Sequence, residues 1–128
     1  MTQTGHCLCG ETTYEFDGEI AWQGHCHCES CRRNCASPIT TFFGVPRSGF
    51  RWTGRVPGSY ESSPDIHRLF CTNCGTPMAY DGSWDKKNIH LYATSLDDQT
   101  LVAPTIHFHH EEAVDWLILG DDLERRIG

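Results

Sequence analysis

Seven of the eight cysteines in this chain stand in three short groups, and a fold that holds them must satisfy their sulfur chemistry first. Cys7 and Cys9 form C-x-C-G, Cys26, Cys28 and Cys31 form C-x-C-x-x-C, and Cys71 and Cys74 form C-x-x-C-G. Three thiolates as close together as the central group repel one another unless a cation neutralises them. Zn²⁺ is the expected cation, because it favours sulfur and tetrahedral geometry and has no redox chemistry of its own. Three protein ligands leave a fourth position open, as in catalytic zinc sites, whereas a fourth ligand from elsewhere would close the site into a structural one.

Eight cysteines with no apolar leader after Met1 point to metal or thiol chemistry in a reducing compartment, and the expected location is cytoplasmic. No apolar run is long enough to cross a bilayer, so no membrane partner is expected. A formal net charge of −7 makes non-specific nucleic-acid binding a poor expectation, since that binding relies on Lys and Arg at phosphates. At 128 residues the expectation is one domain, spanning 1–128.

Between the cysteines the chain has strand rhythm. Thr12, Tyr14 and Phe16 alternate with Thr13 and Glu15, and Asp17-Gly18 ends that run. Further strands are expected at Ile20 to Gly24, Ile39 to Phe43, Phe50 to Trp52, Asp65 to Phe70, Met78 to Tyr80 and Asn88 to Ala93. Late strands are expected at Ile106 to His109 and Asp115 to Ile118. Gly54, Pro57, Gly58 and Pro64 punctuate turns between strands. Asp121 to Arg126 has acids early and bases late, a helix-start pattern. The fold class is therefore mainly β.

The two cysteine pairs that end in Gly suit each other. Joining Cys7 and Cys9 to Cys71 and Cys74 gives a closed four-sulfur site across a loop of some sixty residues, where a metal staple contributes most to folding. The central group ends instead in Arg32-Arg33, which gives it cationic surroundings and a different role.

The order G-x-C-x-C-G, then C-H-C-x-x-C-R-R, then F-C-x-x-C-G-T-P resembles the glutathione-dependent formaldehyde-activating enzyme family, which includes centromere protein V. Phe50 to Gly54, Thr94 to Asp98, His107 and Trp116 are similar to that family's later segments. The resemblance implies a zinc-stapled, β-sandwich-like fold shared with translationally controlled tumour protein and Rab-exchange accessory zinc proteins. It implies two Zn²⁺ per chain, a structural one on Cys7, Cys9, Cys71 and Cys74 and a catalytic one on Cys26, Cys28 and Cys31. It also implies a carbon–sulfur lyase activity, the joining of formaldehyde to glutathione as S-hydroxymethylglutathione. The alternatives are a non-catalytic zinc scaffold for protein binding and a thiol-redox or zinc-storage protein.

Cys35 departs from the family pattern. If residues 28 to 35 turn helically, Cys28, Cys31 and Cys35 share a face, and Cys35 is a candidate fourth ligand; the alternative is a free buried thiol. Arg32 and Arg33 are candidates for the carboxylates of a glutathione-like thiol, because the guanidinium fork matches a carboxylate; the alternative is surface pairing with acids. His25 and His27 alternate with Cys26 and are expected to pack or face solvent, not to ligate. His107, His109 and His110 with Glu111 and Glu112 read as a solvated strand end, and Trp52 and Trp116 as core aromatics.

Overall fold

Period-2 burial places the strands in two sheets, and the computed structural model describes residues 1–128. The smaller sheet is antiparallel, with β1 (Thr2–His6), β2 (Thr13–Asp17) and β5 (Phe50–Trp52) in the order β1-β2-β5. The larger contains β3 (Trp22–Cys26), β4 (Thr40–Pro46), β6 (Gly58–Ser63), β7 (Ile66–Phe70), β8 (Pro77–Gly82), β9 (Asn88–Tyr92), β10 (Ile106–Phe108) and β11 (Glu124–Arg125). Its order is β11-β10-β3-β4-β9-β8-β7-β6, with β10 parallel to both β3 and β11. The only α-helix, α1 (Glu29–Cys35), follows β3 directly.

Alternation along β4 divides the core. Phe43 and Val45 face the smaller sheet and pack with Tyr14, Phe16, Ile89 and Leu91. Each such fully buried side chain contributes about 1.5–3 kcal/mol by leaving water. Phe42 points the other way and packs with Tyr92, Cys26 and Cys31. The architecture is thus mainly β and sandwich-like, with one cysteine group in each of its two apolar clusters.

The expected strands at β2, β5, β7, β8 and β9 are present, and those around β3, β4 and β10 are shifted by one or more residues. Two expectations fail. Asp115 to Ile118 forms a turn and irregular chain, and Trp116 is 74% exposed, not a core residue. Asp121 to Arg126 is not a helix. Its charges are used locally: Asp121 accepts from Arg125 at 2.6 Å and from Leu123 N at 3.0 Å, and Arg125 also donates to the Leu119 and Leu123 carbonyls. Those bonds satisfy the segment as a turn that ends in β11. No helix is long and apolar enough to cross a membrane.

Candidate metal centres and the cavity beside them

Two turns meet at the first cluster. Cys7 and Cys9 follow β1, and Gly10 takes a φ of +82°; Cys71 and Cys74 follow β7, and Gly75 takes +80°. A side chain would resist both angles, so these glycines let the chain reverse around the sulfurs. The four Sγ atoms lie within 4.8 Å of one another. Backbone N–H groups aim at them, from Thr12 to Cys7 at 3.3 Å and from Asn73 and Cys74 to Cys71 at 3.4 and 3.5 Å. Leu8 N donates to Thr76 Oγ1 at 3.1 Å, tying one turn to the other. The Thr76 hydroxyl beside Cys74 is the largest influence that lowers its thiol to about 5. Four converging sulfurs supplied with N–H donors form a donor set that fits a tetrahedral thiophilic cation.

The second cluster forms where β3 gives way to α1. Cys26 ends the strand, Cys28 caps the helix in an extended conformation, and Cys31 lies in its first turn. Their sulfurs also lie within 4.8 Å of one another, with Cys26 and Cys31 at 3.8 Å. The three thiols cannot share ionisation freely: the neighbouring Cys28 and Cys31, together with burial, push Cys26 up, while hydrogen bonds from Cys26 and Cys31 hold Cys28 down. A divalent cation relieves that conflict, so this donor set fits one as well. No cysteine is disulfide-bonded.

Cys35 lies outside the set of converging sulfurs. It is one helical turn beyond Cys31, about 6 Å along the axis, whereas Cys26 approaches from the other end. Its neighbours are Asn34 and Tyr92, and burial raises its thiol pKa. Arg33 pairs with Glu29 at 2.7 Å with its side chain 78% exposed, and Arg32 donates to the His27 carbonyl at 3.0 Å. Neither arginine lines the cavity beside the cluster.

That cavity holds about 550 Å³ and is bordered by all three central cysteines. The arginine in its wall is Arg68, which sequence reasoning passed over. Arg68 donates to Cys31 Sγ at 3.2 Å, Ser30 Oγ at 3.1 Å and Ser62 Oγ at 3.2 Å, and lies 4.8 Å over the Tyr80 ring. Burial opposes its charge, but the Cys31 sulfur beside it outweighs that and holds it protonated. The available signal was an arginine on the same strand face as Ile66 and Phe70, both of apolar type.

A second missed feature supports the ligand turn from behind. His27 points away from the sulfurs, and its Nε2 lies 2.8 Å from His107 Nδ1. His107 Nε2 in turn lies 3.0 Å from Asp121, which also accepts from Arg125. Hydrogen bonds from Leu123 N, His107 and Arg125 outweigh burial and keep Asp121 well below the usual carboxylate range. An ionised Asp121 takes the Nε2–H of His107, leaving Nδ1 to accept from His27. His25 bonds Thr41 at 2.8 Å, so both flanking histidines pack and neither joins the sulfurs. His107 is fully buried, unlike the solvated strand end expected there. Nearby His109, Glu111 and Glu112 do converge, but Glu112 caps Glu29 N at 3.0 Å and Glu111 accepts from Gly128 N.

A β-rich fold with a four-cysteine cluster between two turns and a three-cysteine cluster bordering a cavity defines a class of cysteine-rich β domains able to hold metal. The sequence pattern of the glutathione-dependent formaldehyde-activating enzyme family matches residues 2–112, and the chain belongs to that family. It is 36% identical over 76 residues to an uncharacterized lyase of Schizosaccharomyces pombe; the match spans 59% of this chain and 55% of that protein's length. A solved structure of a Rhodobacter sphaeroides protein has the same fold, with a TM-score of 0.62 over 74% of this chain and 88% of that one at 19% identity.

Proposed function

We propose that residues 1–128 form a single zinc domain that makes or breaks the carbon–sulfur bond between a thiol and an aldehyde, as in S-hydroxymethylglutathione formation. One observation carries this reading: three sulfurs converge with no fourth protein sulfur among them, and all three border a cavity large enough for a small molecule. Family membership and the lyase name of the yeast relative support it.

In this reading Cys7, Cys9, Cys71 and Cys74 hold a structural Zn²⁺, and Cys26, Cys28 and Cys31 hold a second. Held there, the second ion would leave a position for an incoming thiol and would favour its thiolate form. Arg68 places a positive charge beside that position through Cys31. Phe42, Tyr80 and Phe108 give the cavity an apolar wall beside the cluster. In the forward direction the sulfur lone pair forms the C–S bond, the carbonyl π pair moves to oxygen, and the thiol's proton ends on that oxygen. The reverse reaction returns thiol and aldehyde, with no oxidant or reductant required. Arg32 and Arg33 do not line the cavity and are held by the His27 carbonyl and Glu29, so Arg68 in its wall is the first choice for substrate contact. Free thiols and labile zinc fit a reducing compartment such as the cytoplasm.

The test combines metal content with turnover. Elemental analysis should give two zinc ions per chain, and mixing formaldehyde with a thiol should reach equilibrium faster with the protein than without it. One ion per chain, or no acceleration with any thiol–aldehyde pair, overturns the lyase reading and favours a zinc scaffold.

A further inference from the structure

Addition of a thiolate to an aldehyde gathers charge on one atom. As the C–S bond forms, the carbonyl π pair moves to oxygen, leaving an alkoxide on the carbon that the sulfur has attacked. Beside cysteine sulfurs and an apolar wall that charge is costly unless fixed hydrogen-bond donors meet it. Among the residues that line the cavity, Arg68 is the only arginine or lysine.

Arg68 is 4% exposed, and the chain's arginine–carboxylate pairs all belong to other arginines. A guanidinium has five N–H donors. In Arg68 the Nε–H goes to Ser62 Oγ, one Nη1 hydrogen to Cys31 Sγ and one Nη2 hydrogen to Ser30 Oγ, so each terminal nitrogen keeps one hydrogen unused. Strand register sets Arg68 opposite Tyr80, whose ring lies 4.8 Å from the guanidinium carbon. Three hydrogen bonds and one ring face hold the planar fork still, so its unused donors are in place before any substrate arrives.

Ser30 stands beside it, exposed in the first turn of α1 and also lining the cavity. Its Oγ accepts from Arg68 at 3.1 Å and lies 3.6 Å from Cys28 Sγ, and its own hydrogen has no oxygen to bond. Arg68 thus touches one cysteine of the cluster and Ser30 flanks another. A thiol whose sulfur meets the cluster brings the attacked carbon, and the oxygen on it, to this pair. The carboxylates of a glutathione-type thiol stand several bonds further along the molecule.

We propose that Arg68 and Ser30 form an oxyanion cradle, in which the unused Nη hydrogens of Arg68 and the Ser30 hydroxyl donate to the alkoxide that forms as the thiolate adds to the aldehyde. Both residues act by hydrogen bonding alone, and Arg68 keeps its charge throughout. The proton that the thiol loses returns to the alkoxide through solvent, which reaches the exposed Ser30 side. In the reverse direction the cradle holds the alkoxide while the C–S pair leaves with sulfur and the oxygen pair rebuilds the carbonyl, so atoms and electrons balance without an oxidant or reductant. The proposal rests on the thiol-adduct reading of the cysteine cluster and adds to it the residues that touch the reacting oxygen.

The test separates binding of the thiol from turnover, using wild type, Arg68→Met, Arg68→Lys and Ser30→Ala, each saturated with zinc and checked for metal content. Calorimetric titration with glutathione alone, where no alkoxide forms, should give affinities within about threefold of wild type for all three variants. With formaldehyde added, kcat should fall about 10²–10³-fold in Arg68→Met, the usual loss for an oxyanion donor, and about tenfold in Ser30→Ala. Arg68→Lys should recover part of the loss, because an ammonium still donates. A loss of glutathione affinity in Arg68→Met equal to its loss of turnover would make Arg68 a carboxylate contact and overturn the cradle, with the thiol-adduct reading intact. If Arg68→Met does not hold its zinc, Ser30→Ala decides, and an unchanged kcat there overturns the cradle. Wild type that binds glutathione without accelerating its reaction with formaldehyde removes the thiol-adduct reading and this proposal with it.

Discussion

His27 and His107 share a hydrogen bond of 2.8 Å although eighty residues separate them in the chain. The bond fastens the turn between Cys26 and Cys28 to β10, and Asp121 fixes the far side of His107 at 3.0 Å. A ligand-bearing turn held from behind loses less conformational freedom when its sulfurs close on a metal. His107→Ala should therefore weaken zinc binding at the central cluster by about 10–100-fold, the usual cost of removing an outer partner of a metal site. Competition with a chromophoric chelator measures it. Equal affinity in the variant would make the His27–His107 bond a packing detail.

How much of this was legible in the sequence follows from how local each signal is. The cysteine groups are compact motifs, so their division into two clusters could be read from spacing, and both converge as expected. Strands with buried alternation, such as β2 and β9, announced themselves. Polar β1 and β6 did not: they are sheet edges, with few apolar residues to set a period. Arg68, the Asp85–His90 pair and the His27–His107 bond were hidden because each depends on strand order. A sequence shows that Arg32 and Arg33 follow the ligands, but only the path of α1 shows that they turn away from the cavity.

The two clusters should fail differently. Cys74→Ser removes a sulfur from the site that joins the turns after β1 and β7, and structural zinc contributes on the order of ten kcal/mol in small domains. That variant should lose its cooperative thermal unfolding transition. Cys31→Ser should lose one metal ion and activity while the transition survives, because the main core does not contain Cys31. Circular dichroism melts alongside elemental analysis separate the cases. Equal collapse of both variants would make the central cluster structural too.

Acid sensitivity should trace in part to His90. Burial lowers its folded pKa, partly opposed by Asp85, so the unfolded chain takes a proton near pH 6.5 while the folded one still resists. Below that point the unfolded state binds more protons, and stability falls as the pH falls until the folded ring also protonates. One such group contributes a slope of at most about 1.4 kcal/mol per pH unit. His90→Gln keeps a donor toward Asp85 and removes the titration. Its unfolding free energy should therefore drop less steeply than wild type between pH 7 and lower values, as read from denaturant titrations. Parallel curves for the two proteins would show that His90 is not the group responsible.

Arg68 gives the sharpest test of how the cavity acts on the cysteines. Its guanidinium is buried, it meets Cys31 Sγ at 3.2 Å, and it is braced by Ser30, Ser62 and the Tyr80 face. A thiolate paired with a cation in a low-dielectric setting ionises more readily, so Arg68 favours the form of Cys31 that binds metal. Arg68→Met keeps much of the stem's apolar volume and removes the charge. Zinc affinity at the central cluster should fall about 10–100-fold, with the loss growing as pH is lowered, because protons then compete for an unassisted sulfur. Arg68→Lys should recover part of the loss: an ammonium restores the charge but cannot reach three partners from one planar fork. Zinc competition across pH, with both variants and wild type in the same chelator, reads the effect directly. If Arg68→Met binds zinc as wild type does at every pH, the Arg68–Cys31 contact serves only packing, and the open cluster owes its ionisation to the metal alone.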